Sequence, residues 1–97
     1  MHFNDLAFEP HEYHGFLGKT GYQAIAWFTN GFGLSVRYGS MFELYDGEYD
    51  VLGLAGNTTY TEDLPSYFRA EETSVSAERV SQILHEIEAL PPRGAIN

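Results

Sequence analysis

The Asn30-Gly31 pair constrains this chain most, because it sits between two runs of β-forming residues. Asn and Gly both tolerate the positive φ that a two-residue type I′ turn demands, and that turn matches the twist of paired strands. With Asn30 and Gly31 as the turn, Thr29 faces Phe32, Trp27 faces Leu34, Ile25 faces Val36 and Gln23 faces Tyr38. One face of the hairpin then carries Ile25, Trp27, Leu34, Val36 and Tyr38, and the other carries Ala24, Ala26, Phe28, Ser35 and Arg37. A one-residue slip mixes the two sets, so turn and apolar pattern together predict a hairpin over residues 22–38.

Gly39 to Gly47 reads as a longer loop, and residues 48–55 as a third strand with Tyr49, Val51, Gly53 and Ala55 on one face. Gly56-Asn57 fits a turn, Thr58 to Thr61 a short fourth strand, and Pro65 makes the following stretch irregular. Residues 1–21 mix aromatics with glycines; their first eight residues fit either an edge strand or a short helical turn. The last element is a helix over residues 77–90, where Val80, Ile83, Leu84, Ile87 and Leu90 recur at three- and four-residue steps. Ser76 suits its N-cap, Val75 is placed to staple onto Val80, Glu78 favours the positive end of the dipole, and Pro91-Pro92 ends it. The expected architecture is α+β: one domain over residues 1–97, an antiparallel sheet of three or four strands with a C-terminal amphipathic helix packed on one face.

Composition bounds the function. Ninety-seven residues, 43% of them hydrophobic, suffice for one core without covalent staples. The absence of cysteine excludes disulfides, thiolate zinc sites and a cysteine nucleophile. With neither a membrane-length apolar run nor a signal-like N-terminus, the sequence predicts a soluble, cytoplasmic protein with no membrane partner. Five Lys and Arg against fourteen Asp and Glu leave a net charge of −9, which argues against direct nucleic-acid binding and for a partner with a basic surface.

Two clusters invite a chemical reading. His11 and His14, with Glu9 and Glu12 beside them, offer imidazole and carboxylate ligands for a divalent metal, with His2 or His85 as a distant third. Their three-residue spacing departs from the four-residue spacing of helical zinc motifs, and a polar loop with ordinary histidines is the competing reading. Glu43, Asp46, Glu48 and Asp50 fall within eight residues. They lack the terminal bidentate Glu of a calcium loop and fit a charged strand edge that discourages edge-to-edge pairing. No serine sits in a nucleophile elbow and no phosphate-binding loop is present, so neither enzymatic activity nor a cofactor is expected. The aromatics remain. Tyr13, Tyr45, Tyr60, Tyr67 and Phe68 fall in segments read as loops, where tyrosine either covers the second face of the sheet or marks a protein contact.

The stretch from Phe28 to Val36, Phe-Thr-Asn-Gly-Phe-Gly-Leu-Ser-Val, resembles the F-x-N-G-[YF]-G-x-S-V segment of small uncharacterised proteins from phage and prophage accessory regions. Similarity extends over about residues 24–90, through a strand resembling residues 49–54 and a helix resembling 75–90. Met41-Phe42-Glu43-Leu44-Tyr45 departs from it, bulkier and more acidic than the glycine-rich loop expected there. The resemblance implies a setting in which small acidic proteins bind and block host machinery; it carries no catalytic residue. From charge, loop aromatics and this resemblance, the expected function is a non-enzymatic binding protein. It would inhibit a host defence protein such as a CRISPR–Cas effector through Glu43, Tyr45, Asp46, Glu48, Asp50, Tyr60 and Tyr67. Nucleic-acid mimicry by the carboxylates is a sharper form of that reading. A metal- or small-ligand module at His11 and His14 is the alternative, and homo-oligomerisation fits any of them.

Overall fold

A computed structural model describes residues 1–55 and 71–92. Five strands, β1 (Glu9–Pro10), β2 (Tyr22–Trp27), β3 (Phe32–Tyr38), β4 (Tyr49–Ala55) and β5 (Glu71–Val75), form one antiparallel sheet in the order β1-β2-β3-β4-β5. Each strand pairs with its neighbour in sequence. The helix α1 (Ala77–Glu88) packs on one face, which makes the fold α+β with one or two strands more than expected. The proposed turn at Gly56-Asn57 and strand at Thr58 to Thr61 lie outside the described residues.

The hairpin forms, but its register is one residue away from the expected one. Trp27 pairs with Gly33, Ala26 with Leu34, Ile25 with Ser35, Ala24 with Val36 and Tyr22 with Tyr38. The loop has three residues rather than two: Gly31 N–H donates to the Phe28 carbonyl at 3.1 Å, Phe28 N–H donates to the Phe32 carbonyl at 2.8 Å, and Gly31 takes φ +89°. That arrangement, a turn closed by a left-handed glycine, uses Gly at one position only and leaves Asn30 free for another task. The slip exchanges half of each face. Ala24, Ala26, Phe32, Leu34 and Val36 line the core, whereas Ile25 and Trp27 lie exposed on the outer face.

Val80, Ile83, Leu84, Ile87 and Leu90 are all buried against Phe32, Leu34, Val36, Val51 and Ala55. Five such side chains supply roughly 8–15 kcal/mol of gross hydrophobic stabilisation, at about 1.5–3 kcal/mol each. Ser76 caps the helix, its Oγ accepting from Arg79 N–H at 3.1 Å, and Val75 packs at the edge of the core. At the other end the Asn30 side-chain amide donates to the carbonyls of Ile87 at 2.8 Å and Leu90 at 3.1 Å, while its Oδ1 accepts from Phe32 N–H at 3.0 Å. The hairpin loop thereby adds donors to carbonyls at the helix C-terminus, where the regular helical ladder ends.

The first residues form a 3₁₀ turn at Phe3–Asp5 held against the helix, with Phe3 N–H donating to Ser81 Oγ at 2.8 Å and Phe3, Leu6 and Phe8 packed on the core. Strand β5 joins β4 through a bulge at which Ser74 takes φ +55°. Arg79 ties that strand to the helix, its Nη2 lying 2.9 Å from Glu72 Oε2 and its Nε 3.2 Å from Oε1. This two-point bond, with Glu86 nearby, raises the Arg79 guanidinium above its ordinary pKa. Among the described residues no helix is long and apolar enough to cross a membrane.

Candidate functional site

The segments that enter β2, leave β3 and enter β4 meet at one end of the sheet. Residues 11–21 form a tight loop in which Gly15, Leu17 and Gly18 all have positive φ. Gly21 N–H donates to His14 Nδ1 at 3.1 Å, and His11 Nδ1 accepts from Tyr13 N–H at 3.3 Å. Both candidate metal-ligating histidines therefore brace the loop through one ring nitrogen. His2 and His85 meet each other instead, their ring nitrogens 3.5 Å apart. The described residues contain no group of three or more His, Cys, Asp or Glu able to hold a metal ion.

The second loop, residues 39–48, is fastened to the first. Thr20 N–H donates to Ser40 Oγ at 2.9 Å, Ser40 N–H to Thr20 Oγ1 at 3.2 Å, and Met41 N–H to the Thr20 carbonyl at 2.9 Å. Gly39, at φ +125°, lies so close to Thr20 that a Cβ would fall on its carbonyl. Leu44 anchors the loop by burial. Between these loops Tyr13 stays 58% exposed, Phe16 68%, Leu17 80% and Tyr45 83%. These are four of the seven exposed large hydrophobic side chains among the described residues. Leu17 does so at φ +55°, a backbone conformation that costs a non-glycine residue about 1–3 kcal/mol and recurs at functional sites.

The acidic cluster divides into two kinds of group. Glu43 and Asp46 are exposed on the loop. Glu48 Oε1 accepts from Tyr45 N–H at 2.9 Å and closes the turn that presents Tyr45. Asp50 lies within the sheet: its Oδ1 accepts from Ser74 N–H at 3.2 Å, the donor that the bulge removes from the ladder, and its Oδ2 is 3.9 Å from Arg37. Tyr60, Tyr67 and Phe68 lie outside the described residues.

Below the loops, on the helix-facing side, is a cleft of about 730 Å³, of whose lining residues only Tyr45 and Asp46 were singled out from sequence. Tyr22, Tyr38 and Tyr49 form one row across β2, β3 and β4, with the first two rings stacked 4.9 Å apart and the last two edge-on at 5.6 Å. Phe3 packs edge-on against Tyr49 at 4.8 Å. Burial, the neighbouring Tyr38 hydroxyl and the Asp46 carboxylate push the Tyr49 hydroxyl above its ordinary pKa. The signal in the sequence was a tyrosine on each of three strands, but only the true register aligns them.

No protein-family model, curated protein or solved structure matches the chain. What the site offers chemically is apolar area on braced loops, exposed carboxylates and an aromatic cleft.

Proposed function

We propose that this chain is a non-enzymatic binding protein that docks through the two joined loops onto a partner with an apolar depression rimmed by basic groups. The observation that carries the reading is the concentration of Tyr13, Phe16, Leu17 and Tyr45, all exposed, on two loops cross-linked at Thr20 and Ser40. Aromatic and large apolar side chains held in place before contact lose little entropy on binding, and they dominate interface energies. Glu43 and Asp46 beside them, within a chain of net charge −9, favour a basic rim and faster association. The phage-like hairpin supports a host protein as partner and a blocking inhibitor of a defence effector as the role. Because Glu48 and Asp50 are engaged in holding the turn and the bulge, direct docking is favoured over phosphate mimicry.

The test is affinity purification from a bacterial host with the wild-type protein, the double variant Phe16→Ser/Tyr45→Ala, and Ile25→Ala on the opposite face. A stoichiometric partner should be retained by the wild type and by Ile25→Ala, and lost with the double variant. Retention by the double variant refutes the loop surface. Loss of the partner at high salt, with both loop side chains dispensable, would establish mimicry instead.

A further inference from the structure

The tyrosine cleft carries an inference argued from its own lining, although it shares Tyr45 and Asp46 with the loop surface. We propose that the cleft formed by Tyr22, Tyr38, Tyr49 and Asp46 binds a guanidinium group. Asp46 is the only charged residue among the described residues lining it, so the cleft favours cations and repels anions.

The walls decide which cation. Five aromatic rings, those of Phe3 and Tyr45 as well as the three-tyrosine row, line the space. A metal ion or a compact ammonium is strongly hydrated and gains little from such walls. Guanidinium is planar, weakly hydrated and stacks against aromatic rings. It also brings a fork of N–H donors, and the cleft supplies acceptors to meet them. The hydroxyls of Tyr22, Tyr38 and Tyr49 make no hydrogen bond among the described residues, and Asp46 lines the same cleft. A volume of about 730 Å³ lies within the range for small organic ligands and exceeds what one ion fills.

Guanidinium reaches such a cleft either as free arginine or as an arginine side chain on a polypeptide. The test is a ¹H–¹⁵N NMR titration of the full chain with L-arginine, N-acetyl-argininamide and the uncharged isostere N-acetyl-citrullinamide. Saturating shifts confined to residues 20–22, 38–40 and 44–49 are expected with the arginine compounds, with citrulline at least tenfold weaker. Tighter binding of the capped compound identifies a polypeptide side chain as the source; tighter binding of L-arginine identifies the free amino acid. Asp46→Asn, on an exposed turn where the fold does not depend on it, should weaken binding about threefold to fivefold, as removal of one partly exposed charge pair does. Equal response to citrulline, unchanged affinity in Asp46→Asn, or unsaturating shifts spread over the acidic surface each overturn the proposal.

Discussion

Replacing Asn30 tests how the hairpin and the helix are joined. Its amide donates to the carbonyls of Ile87 and Leu90, and its Oδ1 accepts from the buried Phe32 N–H. Asn30→Ala removes all three bonds and leaves buried groups unpaired. At about 0.5–1.5 kcal/mol for each net bond, and more where a group is orphaned, the loss is roughly 2–4 kcal/mol. A domain of this size has about 5–15 kcal/mol in total, so the variant should melt some 10–25 °C lower. Asn30→Asp separates this account from a simple turn preference. Asp keeps the shape and the acceptor for Phe32, but it turns a carboxylate toward the negative end of the helix dipole. At neutral pH it should be less stable than Asn30→Ala, and acidification that protonates the new carboxyl should restore part of the loss. Urea denaturation followed by circular dichroism measures each difference. If Asn30→Ala stays within about 0.5 kcal/mol of wild type, the range of an ordinary surface substitution, the capping role is refuted. Wild-type stability of Asn30→Asp at neutral pH would refute it equally.

Asp50→Ala should cost about 1–2 kcal/mol, because the Ser74 N–H at the bulge loses its acceptor, and chemical denaturation should show this without any binding partner. Tyr49 sets an alkaline limit. Its folded-state pKa is raised, so above about pH 10 the unfolded chain loses the phenolic proton first and stability falls as pH climbs toward the folded value. Tyr49→Phe should show a shallower alkaline decline in melting temperature, and an identical decline would remove this cause. In Gly33→Ala the new Cβ would lie 2.6 Å from the Ala26 carbonyl and 2.7 Å from the Trp27 ring. A loss of about 1–3 kcal/mol, with a change in Trp27 fluorescence, is expected, whereas an unperturbed emission spectrum would show the ring does not lie over Gly33.

The helix was legible because its signals are local: an apolar stripe, a serine cap and a proline pair determine one element between them. The hairpin was legible as an element and not as a register. Asn-Gly satisfies a two-residue turn, but it equally satisfies a three-residue loop with glycine alone in the left-handed position. The deciding contact, Asn30 with the helix carbonyls, is made 57 and 60 residues away. Small Ala24 and Ala26 facing the core and large Ile25 and Trp27 facing outward reverse the usual hydrophobic reading, because Leu34 and Val36 across the pair fill the space. Strand β1 has two residues and β5 is polar with a bulge, so neither has a periodicity to detect. Exposed Tyr13 and Tyr45 followed from their loop positions. The tyrosine row did not, since it exists only once the strands are aligned.

The sheet is a simple meander, yet its core is closed by α1, which follows every strand in sequence. On a ribosome, Leu34, Val36 and Val51 are synthesised and can pair into strands well before Ile83, Leu84 and Ile87 exist to cover them. At about 5–20 residues per second, extending the chain from Ala55 to Glu88 takes roughly 2–7 s. For that interval the nascent chain shows a wet apolar face and an Asn30 amide with no carbonyls to meet. Chains truncated before Ser76 should therefore be held by chaperones and sensitive to protease, and chains that include α1 should not. The sheet's apolar face is covered only once α1 is present, so the helix acts as the latch of the fold.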